Sequence, residues 1–294
     1  MSQVASRRIA VFLFTFPALV LFSVIVMYPT LRTLIMSTFD WDGMTPGVFI
    51  GAGNFLRLAR DPIFFISFRN GIIFALVMLI YQIGLGTFFA LTFLNASIRG
   101  RKLFRKVYFI PVVLSVTVVC QLWLSIYNPE YGLLNRMFEF FGIEYQQEWL
   151  SSMGLASILA IAFVSSWQGM GYQLALLYAG AKSIPNEIFE AARIDGASNF
   201  QTHRYITIPL MAETYRICLI FVVTAGLNAF AYMQIMTNGG PGTSTYTLTF
   251  LMYRSAFRIF EYGYACAAAV VLVVLCLGVT LTINRFVARE RIVY

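Results

Sequence analysis

The stretch GIIFALVMLIYQIGLGTFFALTFL, residues 71–94, contains no Asp, Glu, Lys or Arg. A helix needs about 20 predominantly apolar residues to cross the hydrocarbon core of a bilayer, and this stretch exceeds that length. It therefore predicts a transmembrane helix. The composition of the whole chain agrees, because 59% of its 294 residues are hydrophobic and only 12% are charged, which is atypical of soluble proteins.

Five further segments share these properties, and together the six predict an all-α polytopic membrane protein with six transmembrane helices. The segments comprise residues 9–28, 71–94, 107–127, 155–181, 217–237 and 262–284. The first follows Arg7 and Arg8, but its apolar run is about twice as long as that of a cleaved signal peptide, so we expect a retained helix. The longest loop, residues 29–70, is expected to contain short interfacial helices.

Lys and Arg residues are distributed unequally between the two sets of loops. If both termini are cytoplasmic, that side carries two-thirds of the 21 Lys and Arg residues, including Arg289 and Arg291 near the C-terminus. Positive residues accumulate on the cytoplasmic side of membrane proteins, so we expect both termini in the cytoplasm. The net charge of +8 follows from this topology and does not indicate a nucleic-acid partner.

The chain lacks the residues that several functional classes require. The four cysteines all fall within predicted spans, which favours packing over a disulfide framework, and His203 is the only histidine, so no metal site is expected. There is no phosphate-binding G-x-x-x-x-G-K-[ST] loop and no nucleophile with an evident general base. We therefore expect neither ATP hydrolysis by this chain nor another enzymatic activity. The absence of charge within the spans disfavours an ion-coupled carrier or channel but leaves it as an alternative.

A short helix is predicted between the fourth and fifth spans. It begins just before the stretch FEAARIDGASNFQTHRYITIPLM (residues 189–211) and runs into it as far as Asp195. Ser183 and Pro185 are typical of a helix start, and Gly196 can supply a left-handed cap at the helix end. One side of this helix carries Ile184, Ile188, Ala191, Ala192 and Asp195, and the other carries Glu187, Glu190 and Arg193. Such a helix is either solvated at the membrane surface or docked on a partner, and the pattern alone does not decide between the two.

A second short helix is predicted directly after the first. Ser198 or Asn199 can cap it, and it is expected to run through Ile206 until Pro209 breaks it. The loop of residues 182–209 is thus predicted to be a helix, a tight turn and a helix on the cytoplasmic surface.

This loop resembles the signature of permease subunits of binding-protein-dependent ABC importers. That signature reads E-A-A, three residues, G, nine residues, I, one residue, L-P, and it is matched by Glu190, Ala191, Ala192, Gly196, Ile206 and Pro209, with Ile208 replacing the leucine. The resemblance implies that residues 182–209 form the coupling loop, which inserts into a cleft of a separate ATPase subunit. The residues it implies for this contact are Glu187, Glu190, Ala191, Ala192, Asp195, Gly196 and Ala197.

A narrower resemblance concerns the sugar-importer branch of these permeases. TNGGPGTST (residues 237–245) and KSIPNEIFEAARIDGAS (residues 182–198) are similar to the first permease of maltose-type and glycerol-phosphate-type systems. This implies a single transmembrane domain over residues 1–294 in the cytoplasmic (inner) membrane of a prokaryote. It also implies four kinds of partner: membrane lipid, a second permease, two ATPases and an extracytoplasmic solute-binding protein. ATP and Mg would bind the ATPases, with no cofactor in this chain.

The substrate of such an importer passes between the two permeases, where sugar binding calls for aromatic faces and uncharged hydrogen-bonding groups. The candidates for the substrate path are Ser115, Thr117, Gln121, Trp167, Gln168, Gly169, Tyr172, Gln173, Asn228 and Tyr232. The resemblance places Tyr172 at the position of a sugar-contacting tyrosine and Asn228 at that of an asparagine ten residues before the N-G-G-P loop. Two alternatives remain. Hydrogen bonding between helices is an alternative role for these side chains, and a non-sugar such as a phosphorylated polyol is an alternative substrate.

Overall fold

The computed structural model describes residues 2–95, 98–143 and 147–287, with side chains from Val11 onward. Its helices in chain order are α1 (Ser2–Phe22), α2 (Tyr28–Met36), α3 (Gly53–Leu58), α4 (Pro62–Met78), α5 (Gly86–Leu94), α6 (Arg101–Val113), α7 (Val116–Ile126), α8 (Leu133–Phe140), α9 (Leu155–Lys182), α10 (Asn186–Ile194), α11 (Asn199–Thr202), α12 (Ile208–Leu210), α13 (Ala212–Leu227), α14 (Ala231–Met236), α15 (Leu248–Phe257) and α16 (Tyr262–Val287). Helices are joined directly by the π-helical turns Ser23–Met27, Leu79–Leu85 and His203–Thr207. The strands β1 (Phe39–Asp40) and β2 (Val48–Phe49) pair antiparallel.

Most of the helical residues lie in stretches that can cross a membrane. Within the described residues, five stretches are long and apolar enough to do so: Val11–Met36, Pro62–Leu94, Leu155–Lys182, Ala212–Met236 and Tyr262–Val287. The pair α6 and α7 passes the same test together and makes a sixth span when the bent pair counts as one. The prediction of an all-α polytopic membrane protein is confirmed.

The third predicted span is bent, whereas the sequence predicts one continuous helix over residues 107–127. Helices α6 and α7 meet at an angle of 101°. Leu114 is extended at the bend, and the Ser115 side chain accepts a hydrogen bond from the Val118 amide at 3.3 Å. Because Ser115 satisfies one of the free amides of a new helix start, the chain can stop α6 and begin α7 in another direction.

The fifth predicted span, residues 217–237, corresponds to the membrane-crossing stretch Ala212–Met236, but its helix is interrupted. Helix α13 ends at Leu227 and α14 begins at Ala231. The Ala229 carbonyl in the gap accepts hydrogen bonds from the hydroxyls of Thr247 at 2.9 Å and Thr249 at 2.6 Å. A break at membrane depth is tolerated only where other groups satisfy the freed backbone, and these two threonines do so.

The chain divides into two compact units, and the first comprises the residues as far as Asp61 together with Leu251–Val273. Between residues 29 and 70 it contains α3, together with a β1–β2 hairpin that the sequence pattern does not indicate. The buried Asn54 amide holds the hairpin by donating to the carbonyls of Ser37 at 3.0 Å and Phe39 at 2.8 Å.

The second unit, Pro62–Phe250 together with the residues from Val274, is built around α9. More than half of the membrane-spanning stretch of α9 is buried, more than in any other candidate span of the described residues. A core cluster joins α5, α9 and α13 to both ends of the predicted coupling loop; its buried members are Ala90, Phe93, Leu174, Leu177, Ala181, Ile184, Met211 and Cys218. The loop is therefore packed onto the helix bundle at its two ends.

Candidate functional site

A cavity of about 600 Å³ lies within the second unit, between α4 with its following π-helical turn, α6, α9 and the α13–α14 segment. Its lining is entirely uncharged and consists of Met78, Gln82, Val112, Ser165, Gln168, Gly169, Tyr172, Gln173, Phe221, Val222, Ala225, Asn228, Ala229, Phe230, Ala231 and Tyr232. The gap between α13 and α14 forms part of the wall. The interruption of the fifth span thus contributes directly to the cavity.

Some of the polar side chains in this wall are held by the protein itself. The Gln168 amide donates to the Leu114 carbonyl at 2.9 Å, and its oxygen accepts from the Tyr232 hydroxyl at 2.7 Å. Asn228 donates to the Thr224 carbonyl at 2.8 Å. Both polar atoms of the Gln168 amide thus bond within the protein, and they tie the bend of the third span to α9 and α14.

Two other polar side chains of the wall have unpaired groups within the described part of the chain. The Tyr172 side chain is 42% exposed and its ring meets Phe221 edge-on, with 6.2 Å between ring centroids. The amide oxygen of the buried Gln173 accepts no hydrogen bond within the described residues. An unpaired buried acceptor is costly, so a small shift of the Gln173 side chain toward a ligand donor would be favourable. Aromatic rings beside unpaired neutral polar groups suit an uncharged ligand that carries both C–H surface and hydroxyls.

The predicted coupling loop forms a second candidate site. Helix α10 ends as the sequence predicts: Gly196 has φ +76°, its amide donates to the Arg193 carbonyl at 3.1 Å, and the Ala197 amide donates to the Ala192 carbonyl at 2.9 Å. This pair of hydrogen bonds is the Schellman motif, in which a left-handed residue closes the helix end. The turn after α10 is therefore sharp and well determined.

The start of α10 differs from the prediction. Ser183 does not cap it, because its hydroxyl donates back to the Gly180 carbonyl at 2.8 Å, and Pro185 occupies the N-cap position without a side-chain hydrogen bond. The Ser183 hydroxyl bonds to the end of α9 because the last carbonyls of that helix are free and lie one turn away.

The second helix of the loop begins as predicted but does not stop where expected. Ser198 forms a reciprocal capping box with Gln201. Pro209 does not break the helix, which passes through the π-helical turn His203–Thr207 into α12 and ends at Leu210. The wider turn accommodates a residue without an amide hydrogen. Burial lowers the pKa of His203, which favours its neutral form.

The surface of the loop combines acidic and apolar groups. Glu187, Glu190, Ala191, Asp195 and Gly196 are exposed, and Ala197 is partly exposed. Beside them the loop leaves three large apolar side chains uncovered: Ile194 at 86% exposure, Phe200 at 75% and Tyr205 at 70%. This is a surface suited to a protein partner.

Comparison with known proteins identifies the family. Residues 63–292 match the family model of the binding-protein-dependent transport system inner membrane component. The chain belongs to this family. The match covers most of the chain, including the cavity and the predicted coupling loop.

Relatives of the permease extend the comparison over almost its full length. It is 35% identical to the probable ABC transporter permease protein YurN of Bacillus subtilis over 97% of this chain and 98% of that protein. It is 34% identical to NgcF, the diacetylchitobiose uptake system permease protein of Streptomyces coelicolor, over 86% of this chain and 75% of that protein. Its fold matches a chain in the crystal structure of a bacterial alginate ABC transporter in complex with an alginate-bound periplasmic protein, with a TM-score of 0.83, 20% identity and coverage of 98% and 96%.

The structure brings six of the ten predicted path residues of the permease together. Gln168, Gly169, Tyr172, Gln173, Asn228 and Tyr232 line the cavity. Four others do not: Ser115 caps α7, Thr117 and Gln121 are exposed on α7, and Trp167 stacks edge-on against Trp123 with 5.6 Å between centroids. The 101° bend separates the α7 residues from the wall that a straight third helix would have given them.

The predicted coupling residues of the permease also divide. Ala192 is only 4% exposed, whereas the adjacent Ala191 is exposed. The remaining predicted coupling residues are at least partly accessible.

Gln82 is an amide residue of the cavity wall that is not among the path residues predicted from the sequence. It is 2% exposed, and its amide lies 3.4 Å from the Ser165 carbonyl. A Cβ at Gly169 would lie 2.5 Å from the Gln82 amide nitrogen, so this glycine makes room for it. The signal was available, because Gln82 is the only amide side chain inside the uncharged stretch of residues 71–94. Within the described residues, no group of His, Cys, Asp and Glu is arranged to hold a metal ion.

Proposed function

We propose that this permease moves a sugar, an oligosaccharide or a related polyol across the cytoplasmic membrane as one of two permeases of an ABC importer. The observation that carries the proposal is the uncharged cavity with its aromatic and amide lining. The name of the Streptomyces relative, a diacetylchitobiose uptake permease, supports the same substrate class.

The chemistry of the cavity favours a neutral substrate over an anionic one. A charged group moved out of water needs a partner charge or several strong hydrogen bonds, and the wall offers no cation. Sugar hydroxyls can instead exchange hydrogen bonds with Gln173, Asn228 and Gln82, while Tyr172 and Phe230 present ring surface to the C–H face of a sugar ring. A phosphorylated polyol is therefore the less favoured substrate.

The test compares Tyr172→Ala and Asn228→Ala with the unsubstituted importer, reconstituted with its partners in vesicles. Each loses contacts of the order of one hydrogen bond, so we expect the half-saturating sugar concentration for uptake to rise roughly two- to tenfold. ATPase activity stimulated by the loaded binding protein should persist, because neither side chain belongs to the coupling loop. Tyr131→Ala is the matched control, since Tyr131 is an exposed tyrosine outside the cavity.

Two results would contradict this proposal. One is uptake of every sugar on a carbohydrate panel at the unsubstituted rate by both variants. The other is a clear preference of the unsubstituted importer for anionic solutes over neutral ones.

The coupling loop supplies the second part of the proposed mechanism. Glu187, Glu190, Ala191, Asp195, Gly196 and Ala197 would contact a separate ATPase subunit, in which ATP and Mg bind and hydrolysis occurs. The exposed acids can form charge-assisted hydrogen bonds, and the exposed apolar side chains beside them can enter a cleft. Because the loop is packed on the core at both ends, movement imposed on it would be transmitted to α9 and α13.

The proposed assembly contains this chain, a second permease, two ATPases and an extracytoplasmic solute-binding protein. Residues 1–294 would form one transmembrane domain with residues 182–209 as its cytoplasmic loop. Both termini would be cytoplasmic, as the distribution of Lys and Arg indicates. Arg289 and Arg291, which contribute to that distribution, lie outside the described residues.

A further inference from the structure

A second groove, of about 470 Å³, lies between α6 and α9 and shares no lining residue with the cavity described above. On α6 it is lined by Lys102, Arg105, Lys106, Phe109, Ile110 and Val113, and on α9 by Gly171, Leu174 and Ala175. The spacing of the α6 residues places them on one face of the helix. The first three are basic and the last three apolar, so the groove changes from cationic to apolar along its length.

The floor of the groove depends on a close contact between two backbones. A Cβ at Gly171 would lie 2.2 Å from the Tyr108 carbonyl oxygen and 2.9 Å from the Phe109 Cα. Because Gly171 has no side chain, α6 can approach α9 closely there, and the side chains on either side of the contact form the walls. The groove is therefore a built feature of the packing of these helices.

The cations at one end have no acidic partner among the described residues. The ion pairs of that part of the chain join Arg57 to Glu261 and Arg216 to Glu213, and neither involves the groove. The Arg105 guanidinium stacks over the Tyr178 ring at 4.2 Å from its centroid, and its buried Nε has no hydrogen-bond acceptor. This stacking fixes the position of the guanidinium while leaving its charge uncompensated.

The other end of the groove is open and apolar. Phe109 is 41% exposed, Ile110 57% and Val113 74%. From Lys102 to Val113 the helix rises about 16 Å, which is close to half of a hydrocarbon core of about 30 Å. The groove thus has about the length of one leaflet, with its cations at the N-terminal end of α6.

We propose that this groove binds an anionic phospholipid of the cytoplasmic leaflet, with the phosphate at Lys102, Arg105 and Lys106 and an acyl chain along Phe109, Ile110 and Val113. Basic pockets between transmembrane helices on this side of a membrane suit anionic headgroups. A soluble anion would use the cations alone and would leave the exposed apolar half of the groove uncovered. The lipid satisfies both halves.

The experiment measures lipid binding to the complete importer, stripped of lipid in detergent and then titrated with phosphatidylglycerol, phosphatidylcholine or inorganic phosphate. Bound lipid is counted by native mass spectrometry. We expect phosphatidylglycerol to bind more tightly than phosphatidylcholine of the same acyl chains. Lys106→Gln and Arg105→Gln should each weaken phosphatidylglycerol binding about fivefold, because each removes a cation that contacts the headgroup.

The controls separate this site from general surface charge and from a phosphate site. Arg99→Gln removes an exposed cation that lies just before α6 and does not line the groove, and it should leave binding unchanged. Val113→Asn keeps every cation but makes the apolar end polar, and should also weaken phosphatidylglycerol binding.

Three results would overturn the proposal. The first is equal binding by the Lys106→Gln and Arg99→Gln variants. The second is full displacement of the lipid by inorganic phosphate together with no effect of Val113→Asn. The third is failure of the assembled importer to bind phosphatidylglycerol, which would mean that the second permease covers the groove. Because Lys106 is exposed, its substitution tests the site even if Arg105→Gln prevents assembly.

Discussion

Gly171 lies at a contact between α6 and α9 that leaves no room for a side chain. The atoms that an added Cβ would meet belong to the α6 backbone, at 2.2 Å and 2.9 Å. A backbone cannot rotate away as a side chain can, so either α6 or α9 would have to move. At Gly169, by contrast, the atom met at 2.5 Å is the flexible end of the Gln82 side chain.

We predict that Gly171→Ala destabilises the permease by about 1–3 kcal/mol, the usual cost of overpacking a filled contact. The measurement is the denaturation midpoint of the purified importer in detergent. Gly278→Ala is the matched control, because Gly278 is also in a helix but has nothing within 4 Å of an added Cβ. Equal midpoints for the two variants would show that α6 and α9 are not in close contact at this point.

The geometry of the predicted coupling loop depends on local hydrogen bonds. The Schellman motif at Gly196 and the capping box at Ser198 set the angle between α10 and α11. Both motifs lie within the exposed part of the loop, whereas Ile184 and Met211 hold its ends in the core. Changes at the exposed residues should therefore affect docking more than folding.

We predict that Glu190→Ala and Gly196→Asp abolish coupled uptake while leaving the permease in the membrane. The first removes an exposed carboxylate, and the second puts a side chain on a residue with φ +76°, where a Cβ is strained. Uptake and ATPase activity of reconstituted complexes provide the measurement. Glu130→Ala, an exposed acid outside the loop, is the control. Normal coupled uptake by both loop variants would rule out the assignment of the loop to ATPase coupling.

The breaks in the third and fifth spans are the elements that build the cavity. Each break frees a backbone carbonyl, and side chains from elsewhere in the chain donate hydrogen bonds to it. Gln168 donates to the Leu114 carbonyl, and Thr247 and Thr249 donate to that of Ala229. Because unsatisfied backbone groups are costly in a membrane, the breaks and these side chains depend on one another.

At the scale of the whole molecule, the orientation in the membrane decides whether the coupling loop can reach an ATPase. We predict that a protease site inserted near Asn238 is cleaved only from the outside, and one near Asn199 only from the cytoplasm. Right-side-out vesicles expose the outer face to added protease, and inside-out vesicles expose the cytoplasmic face. Each of the two inserted sites serves as the control for the other. Reversed accessibility would contradict both the orientation and the coupling assignment.

The length and composition of the apolar segments were sufficient to predict an all-α polytopic membrane protein. The reason is that the cost of placing charge in a bilayer acts on each residue separately. The left-handed cap at Gly196 was likewise predicted, and the cap of the next helix was narrowed to Ser198 or Asn199, because the hydrogen bonds of such caps join residues that are neighbours in the chain.

Only the tertiary structure decided where the helices break and which polar residues meet at the cavity. A bend such as that at Leu114 is stable because Gln168, on another helix, binds the freed carbonyl, and no local pattern reveals such a partner. The same dependence on distant residues explains why Gln82 joins the wall while Thr117 and Gln121 do not. The length and charge of a segment are properties of consecutive residues, whereas a cavity requires contacts between residues far apart in the chain.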